Sequence, residues 1–98
     1  MLESQYQSYL IQRLYDLFPD AIVLKNDPDH IQGIPDLSIF VGNRWAMLEV
    51  KTSARAKHQP NQDYYVDTAN GMSFAAFIFP ENEDEVLYEL QRSFQTLR

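Results

Sequence analysis

The fold is decided within residues 34–51, which read IPDLSIFVGNRWAMLEVK. Gly42-Asn43 is a typical two-residue turn between two runs of strand-forming residues, so this stretch predicts a β-hairpin. If these two residues form the loop, Val41 faces Arg44 across the strand pair. Because side chains alternate along a strand, one face of the hairpin is predicted to be core. That face carries Leu37, Ile39, Val41, Ala46, Leu48 and Val50.

The other face of the hairpin places two acids against each other. In the same register, Asp36 lies directly opposite Glu49, and Lys51 shares their face. Directly opposed Cβ atoms lie about 4.5–5.5 Å apart, so the two carboxylates repel each other. A divalent cation with oxygen ligands is the partner that best relieves this repulsion. The alternative is an ordinary ion cluster in which Lys51 bridges the two acids.

Length and composition predict a single folded domain that spans residues 1–98, because 45% of the chain is hydrophobic. The absence of cysteine excludes disulfides, thiolate zinc sites and cysteine nucleophiles. No apolar run approaches the roughly 20 residues that span a bilayer, and the N-terminus lacks the pattern of a signal peptide. We therefore expect a cytoplasmic protein with no membrane partner.

The net charge of −6 by itself disfavours a phosphate-rich partner, but the charges are unevenly distributed. Acids cluster near the C-terminus, at Glu81, Glu83, Asp84, Glu85 and Glu89. The segment from Arg44 to His58 contains one acid and four bases, which are Arg44, Lys51, Arg55 and Lys57. The basic segment thus adjoins the Asp36–Glu49 pair.

The N-terminal segment predicts an amphipathic helix over residues 3–18. Its apolar stripe comprises Tyr6, Leu10, Leu14 and Leu17. Glu3 falls on the same stripe, where an unpaired charge would be costly, so Glu3 is a candidate third acid for the hairpin site. The alternative is a solvated first-turn acid that the helix dipole stabilises. Residues 21–25 are predicted to form the next strand.

The remaining elements follow the hairpin. A helix is predicted from about Pro60 to Asn70, with Gly71 as its left-handed stop. Gln62 lies in its first turn, either within the site or as a surface amide. Residues 73–79 predict a strand parallel to the second hairpin strand, because a helix connects the two. Residues 83–97 predict a final helix, and Leu97 belongs to its core face.

Three acids and a lysine beside a basic loop suit metal-assisted hydrolysis of phosphodiesters. A bound cation polarises a phosphoryl oxygen and lowers the pKa of its water, while a lysine stabilises the developing charge. A cofactor-binding module would need a glycine-rich turn before a helix, and the sequence has none. Two aromatic residues of the site face, Phe40 and Trp45, could cover a partner chain or pack beneath the first helix.

The motif Pro35-Asp36, twelve residues and then Glu49-Val50-Lys51 resembles the signature of the PD-(D/E)XK nuclease superfamily. Within that superfamily the chain most resembles the small VRR-NUC (virus-type replication-repair nuclease) domains. Three further features are similar to that family. These are the approach to the aspartate through Gly33, the acid on the first helix, and the downstream Gln and Gly. The resemblance covers nearly the whole chain.

This resemblance implies an α/β fold with a restriction-endonuclease-like αβββαβ(α) core, in which helices flank a small mixed sheet. It implies a Mg²⁺- or Mn²⁺-dependent DNA endonuclease, a homodimer that acts on branched or structured DNA in a bacterial or phage-infected cell. The metal would be held by Glu3, Asp36, Glu49 and the carbonyl of Val50. Lys51 would be the catalytic cation, and Gln62 would orient water or phosphate. The DNA backbone would be contacted by Arg55, Lys57 and His58.

Two other functions stay open at this point. The chain could be a catalytically silent module that keeps the fold and the ion cluster for DNA docking or assembly. It could also be a metal-dependent hydrolase that acts on RNA or on a nucleotide.

Overall fold

The computed structural model of the chain describes residues 1–95. The elements in chain order are α1 (Glu3–Leu17), β1 (Ile22–Lys25), β2 (Leu37–Val41), β3 (Arg44–Val50), α2 (Gln62–Met72), β4 (Phe74–Ile78) and α3 (Glu83–Gln95). The predicted order of elements is therefore confirmed. Leu97, which the sequence places on the core face of the last helix, lies outside the described residues.

One four-stranded mixed sheet organises residues 1–95, with the strands in the order β1-β2-β3-β4. The first three strands pair antiparallel, and β4 pairs parallel to β3, as predicted. Val41 pairs with Arg44, and Leu37 pairs with Leu48, so the predicted hairpin register is correct. Gly42 takes a φ of 62° at the turn, a conformation that glycine adopts without a steric cost.

Helices cover the sheet on both faces. On one face α1 and α3 pack against the side chains predicted to be core. This cluster includes Tyr6, Leu10, Leu14, Leu37, Ile39, Ala46, Leu48, Val50, Val86, Leu87 and Leu90. On the other face α2 packs Val66 and Ala69 against Ala75 of β4. The chain is thus a small α/β domain whose α2 face carries the candidate site.

The predicted ends of α2 are wrong at both termini. The helix begins at Gln62 rather than Pro60, and the residue before it, Asn61, has the left-handed φ of 72°. Asparagine tolerates this conformation better than most residues. At the other end Gly71 stays helical, because the Ser73 N–H still donates to the Ala69 carbonyl at 2.9 Å. No left-handed stop is needed at Gly71.

The two aromatic residues of the site face have different surroundings. Trp45 is partly buried against the cluster under α2, so it does not pack beneath the first helix. Phe40 remains 41% exposed. None of the helices in residues 1–95 has both the length and the apolar character needed to cross a bilayer.

Candidate functional site

Asp36 lies just before β2 and is held against β3. Its carboxylate Oδ2 accepts a hydrogen bond from the Val50 N–H at 2.9 Å. Its own carbonyl accepts from the Asn26 N–H at 2.8 Å, which ties the residue to the end of β1. The carboxylate is therefore drawn toward the neighbouring strand, where Glu49 precedes Val50. The predicted approach of Asp36 to Glu49 follows from these contacts.

Glu49 is the most enclosed acid of the site, with 1% of its surface exposed. Its Oε2 accepts a hydrogen bond from Gln62 Nε2 at 2.9 Å and lies 3.8 Å from Lys51 Nζ. Its Oε1 is buried and has no hydrogen-bond partner among residues 1–95. A buried carboxylate oxygen without a donor is costly, so a proton or a cation would stabilise it.

The electrostatic setting of Glu49 favours the protonated form when no cation is bound. Burial raises the pKa of Glu49 to about 8, and the negative charge of Asp36 adds to this rise. The positive charge of Lys51 acts in the opposite direction, and the charge of Glu3 raises the pKa further. A proton or a cation at Glu49 would relieve the repulsion between the two acids. The pair is thus built to hold one positive charge.

Lys51 is also buried, with 5% of its surface exposed. Its ammonium Nζ donates to the carbonyl of Lys57 at 3.0 Å and to Gln62 Oε1 at 2.7 Å. These bonds hold the charge beside Glu49, with which Lys51 forms an ion pair at 3.8 Å. The simple alternative, in which Lys51 bridges Asp36 and Glu49, does not describe these contacts.

Gln62 is a part of the site and not a surface amide. Its Oε1 accepts from Lys51 Nζ and from the Gln59 N–H at 2.8 Å, while its Nε2 donates to Glu49. Two donors on one side and a carboxylate on the other determine the orientation of the amide. Gln62 thereby links the start of α2 to both charged side chains of β3.

Glu3 is exposed at the first position of α1, as expected for a first-turn acid. Its pKa is also shifted by the charges of the site. Partial burial is the main cause that raises the pKa of Glu3, the charge of Asp36 raises it further, and Lys51 lowers it. The helix therefore directs Glu3 toward the acids of the hairpin, while leaving it in contact with solvent.

The three residues predicted to contact DNA lie in the exposed loop between β3 and α2. The His58 ring stacks on Phe77, with ring centroids 4.0 Å apart, and its Nδ1 lies 2.7 Å from Asp63 Oδ1. Lys57 and His58 line an open recess of about 570 Å³. The backbone of Lys57 anchors Lys51, so this loop is joined directly to the site.

Asn26, which the sequence did not single out, supports the site. Asn26 Nδ2 donates at 2.8 Å both to the Pro35 carbonyl and to Ser38 Oγ, so it braces the chain on either side of Asp36. In the sequence Asn26 stands in a polar loop, where its composition indicated only a turn.

Gly33 has a φ of 89° and touches the residue that precedes α2. A Cβ at this position would lie 2.6 Å from Asn61 Cβ and 2.7 Å from the Asn61 carbonyl carbon. The segment leading to Asp36 and the segment leading to Gln62 are therefore packed backbone to backbone. The motif around Gly33 indicated an approach to Asp36, but it carried no sign of this long-range contact.

Within residues 1–95, no three His, Cys, Asp or Glu side chains form a group that could hold a metal ion. Asp36 and Glu49 form a pair, and Glu3 does not join them as a third ligand of one ion would. The candidate metal donors are therefore the two carboxylates. This set includes hard oxygen ligands of the kind that Mg²⁺ binds together with water.

Comparisons with protein-family models, with curated proteins and with solved structures found no match for this chain. Its functional interpretation depends on the geometry of the site itself.

Proposed function

We propose that this chain is a metal-dependent endonuclease that hydrolyses phosphodiester bonds in branched or structured DNA. The observation that carries the proposal is the unpartnered, buried Glu49 Oε1 beside Asp36. Lys51 and Gln62 complete the arrangement through direct hydrogen bonds. This combination supports the resemblance to PD-(D/E)XK nucleases of the VRR-NUC type and a restriction-endonuclease-like fold.

The residues present fit a Mg²⁺ or Mn²⁺ ion. Asp36 and Glu49 would hold it with the Val50 carbonyl, and Glu3 would act from the edge of the site, where its charge is felt. A bound ion supplies a polarised phosphoryl oxygen and a water of lowered pKa. A bound ion would also take the place of the proton that the raised pKa keeps on Glu49 in its absence. The raised pKa of Glu49 is thus consistent with a cation site.

The chain's own residues position the phosphate. Lys51 is anchored to the Lys57 carbonyl and to Gln62, so its ammonium group is held beside Glu49 in a fixed orientation. A preorganised positive charge stabilises the negative charge that develops on a phosphate during hydrolysis. Gln62 holds Lys51 and Glu49 at a set distance from each other. This positioning role follows from its two opposed hydrogen-bonding contacts.

The exposed loop after β3 gives the DNA a path to the site. The side chains of Arg55, Lys57 and His58 are exposed there, and we assign them to the DNA backbone. The positive charges of Arg55 and Lys57 would offset the chain's overall charge of −6 near the acids. A homodimer would present two such sites to a branched substrate. Phe40 is an exposed aromatic residue available for that contact.

The test is cleavage by the Asp36→Asn variant. Wild-type protein in Mg²⁺ is expected to cut at least one substrate among supercoiled duplex, flap, four-way junction and RNA. Asp36→Asn is expected to lose cleavage by at least about 100-fold, because it removes one of two carboxylates at the cation. Asp67→Asn, an equal charge change at an exposed position of α2, serves as the matched control. Equal cleavage by wild type and Asp36→Asn would refute the proposal.

A non-catalytic DNA-docking or assembly module is the second candidate. It is favoured by one observation: Lys51, Gln62 and Glu49 Oε2 already satisfy one another without a metal. Titration calorimetry with Mn²⁺ separates the two candidates. The nuclease requires binding that Asp36→Asn removes, whereas the module requires none. The substrate panel decides between DNA and the remaining alternative of RNA or a nucleotide.

A further inference from the structure

A second feature of the α2 face is a small pocket of about 240 Å³ between Met47 and the loop that precedes β2. Its apolar walls are Ile31, Ile34 and Met47, and its polar lining residues are Asn26, Asp27 and His30. The volume lies below the roughly 300–1,000 Å³ of pockets for drug-sized ligands. A ligand here would be about the size of a single ring system.

The pocket adjoins the proposed cleavage site. Met47 and Glu49 are two residues apart on β3, so their side chains share a face and lie about 7 Å apart along the strand. Met47 pairs with Ser38, whose hydroxyl is bonded to the Asn26 side chain. The pocket therefore begins two residue pairs along the hairpin from Asp36 and Glu49, at the next pair on the same face. This is the separation at which the base of a nucleotide lies from its phosphate.

The loop that forms the pocket is held in place. Asn26 is bonded to the Pro35 carbonyl and to Ser38, and Asp27 Oδ1 accepts from the Asp29 N–H at 2.8 Å. The His30 N–H donates to the Asp27 carbonyl at 3.1 Å, and Gly33 packs against Asn61. A pocket with such supports needs little reorganisation when a ligand enters.

We propose that this pocket receives one nucleobase, unstacked from the strand whose phosphate lies at the carboxylate pair. The inference rests on the proposed nuclease function and adds a structural preference to it. Apolar walls suit the faces of a base, and the polar groups of Asp27 and His30 suit its hydrogen-bonding edge. Unstacking costs a few kcal/mol and costs least where the base is already unpaired. The pocket thus selects branched or mismatched DNA over regular duplex.

The test measures DNA binding in EDTA, where no cleavage occurs, by fluorescence anisotropy. A series of labelled flap and junction DNAs carries one abasic site, moved along the positions that flank the branch. Wild-type protein is expected to lose about 10-fold in affinity at one position, because the base that would occupy the pocket is missing there. Ile31→Ala is expected to bind the intact DNA more weakly than the wild type does. Placing the abasic site at that position should then lower its affinity little further.

Two further variants complete the test. Ile22→Ala, an exposed isoleucine on β1, is the matched control and should keep the wild-type abasic profile. His30→Ala changes only the polar lining of the pocket. It should reduce the loss of affinity that the abasic site causes at the same position, so it serves if Ile31→Ala does not fold. Equal affinities at all abasic positions, or an unchanged abasic effect in the pocket variants, would overturn the inference.

The outcomes distinguish the pocket from the nuclease. Cleavage in Mg²⁺ without any abasic effect would overturn the pocket proposal and support the nuclease proposal. An abasic effect in a protein that does not cleave would support the pocket proposal and overturn the nuclease proposal. Absence of DNA binding would overturn both.

Discussion

Two buried glutamates lie in opposite settings within this domain. Glu83 is 8% exposed, and Glu49 is 1% exposed. Glu83 Oε1 accepts from the Tyr6 hydroxyl at 2.8 Å, and Oε2 accepts from the Tyr9 hydroxyl at 2.7 Å and pairs with Arg13. Both of its oxygens are thus used, and burial together with the bond to Glu83 raises the pKa of Tyr6.

Glu49 lacks this compensation. One oxygen is bound by Gln62, whereas the other is buried beside the carboxylate of Asp36 and has no partner in the described part of the chain. The comparison teaches that burial of an acid does not by itself indicate its role. An acid whose oxygens are all bound to the protein joins elements of the fold, as Glu83 joins α1 to α3. An acid with an unused oxygen next to a second acid is suited to bind a cation.

The largest expected effect is a loss of stability when Glu83, the buried acid whose oxygens are both bound, is replaced. Glu83→Ala leaves two tyrosine hydroxyls without their acceptor and Arg13 with only the exposed Asp84 as a partner. We therefore expect a loss of about 3 kcal/mol in the free energy of unfolding. Urea denaturation followed by circular dichroism measures this. Glu85→Ala, an exposed acid of the same helix, should change stability by less than about 0.5 kcal/mol. Equal stability of the two variants would show that the Glu83 contacts do not join the helices.

A smaller loss of stability is expected when the close contact between Gly33 and Asn61 beside the Glu49 site is disturbed. Gly33→Ala places a methyl group 2.6 Å from Asn61 Cβ at a positive φ, so we expect a loss of about 2 kcal/mol. Binding of Mn²⁺ should also weaken, because the segments of Asp36 and Gln62 must separate. Gly71 is helical, and a Cβ there would meet open space. Gly71→Ala should therefore raise the free energy of unfolding by about 0.5–1 kcal/mol.

Urea denaturation and Mn²⁺ calorimetry measure the two effects of Gly33→Ala together. If this variant matched Gly71→Ala in stability and metal affinity, the contact between Gly33 and Asn61 would have no part in shaping the site.

The smallest effect depends on pH. The ordinary pKa of a glutamate is 4.5, and that of Glu49 in the fold is about 8. Between these values the folded chain keeps a proton that the unfolded chain has lost, so stability falls as the pH rises toward 8. Without a metal, Glu49→Gln should remove this loss and exceed the wild type in the free energy of unfolding by at least about 1 kcal/mol at pH 8.5. The gain should be absent at pH 4.5.

Urea titrations in EDTA at the two pH values measure this difference, with Glu85→Gln as the exposed control. A wild-type stability that rises between pH 5 and pH 8 relative to Glu49→Gln would contradict the raised pKa. The partnered and unpartnered acids would then be electrostatically alike.

Local rules of sequence explain which parts of the fold could be predicted. Gly42-Asn43 and the alternation of apolar residues determine the hairpin register, and a one-residue shift would expose the whole core face. The approach of Asp36 to Glu49 follows from that register. The helical segment between β3 and β4 explains their parallel pairing. The ends of α2 were less predictable, because a glycine near a helix end can either stop or continue it.

The sequence alone determined the hairpin, the order of elements and the acids and lysine that share one face, because short-range periodicity governs each of them. Only the tertiary structure decided which buried acid is satisfied. Glu83 counts in the sequence as one more acid of a C-terminal cluster, yet its partners come from α1. Gln62 and Gly33 likewise gain their roles through side-chain and backbone contacts across the fold. Such contacts depend on how elements pack in space, and periodicity along the chain does not encode them.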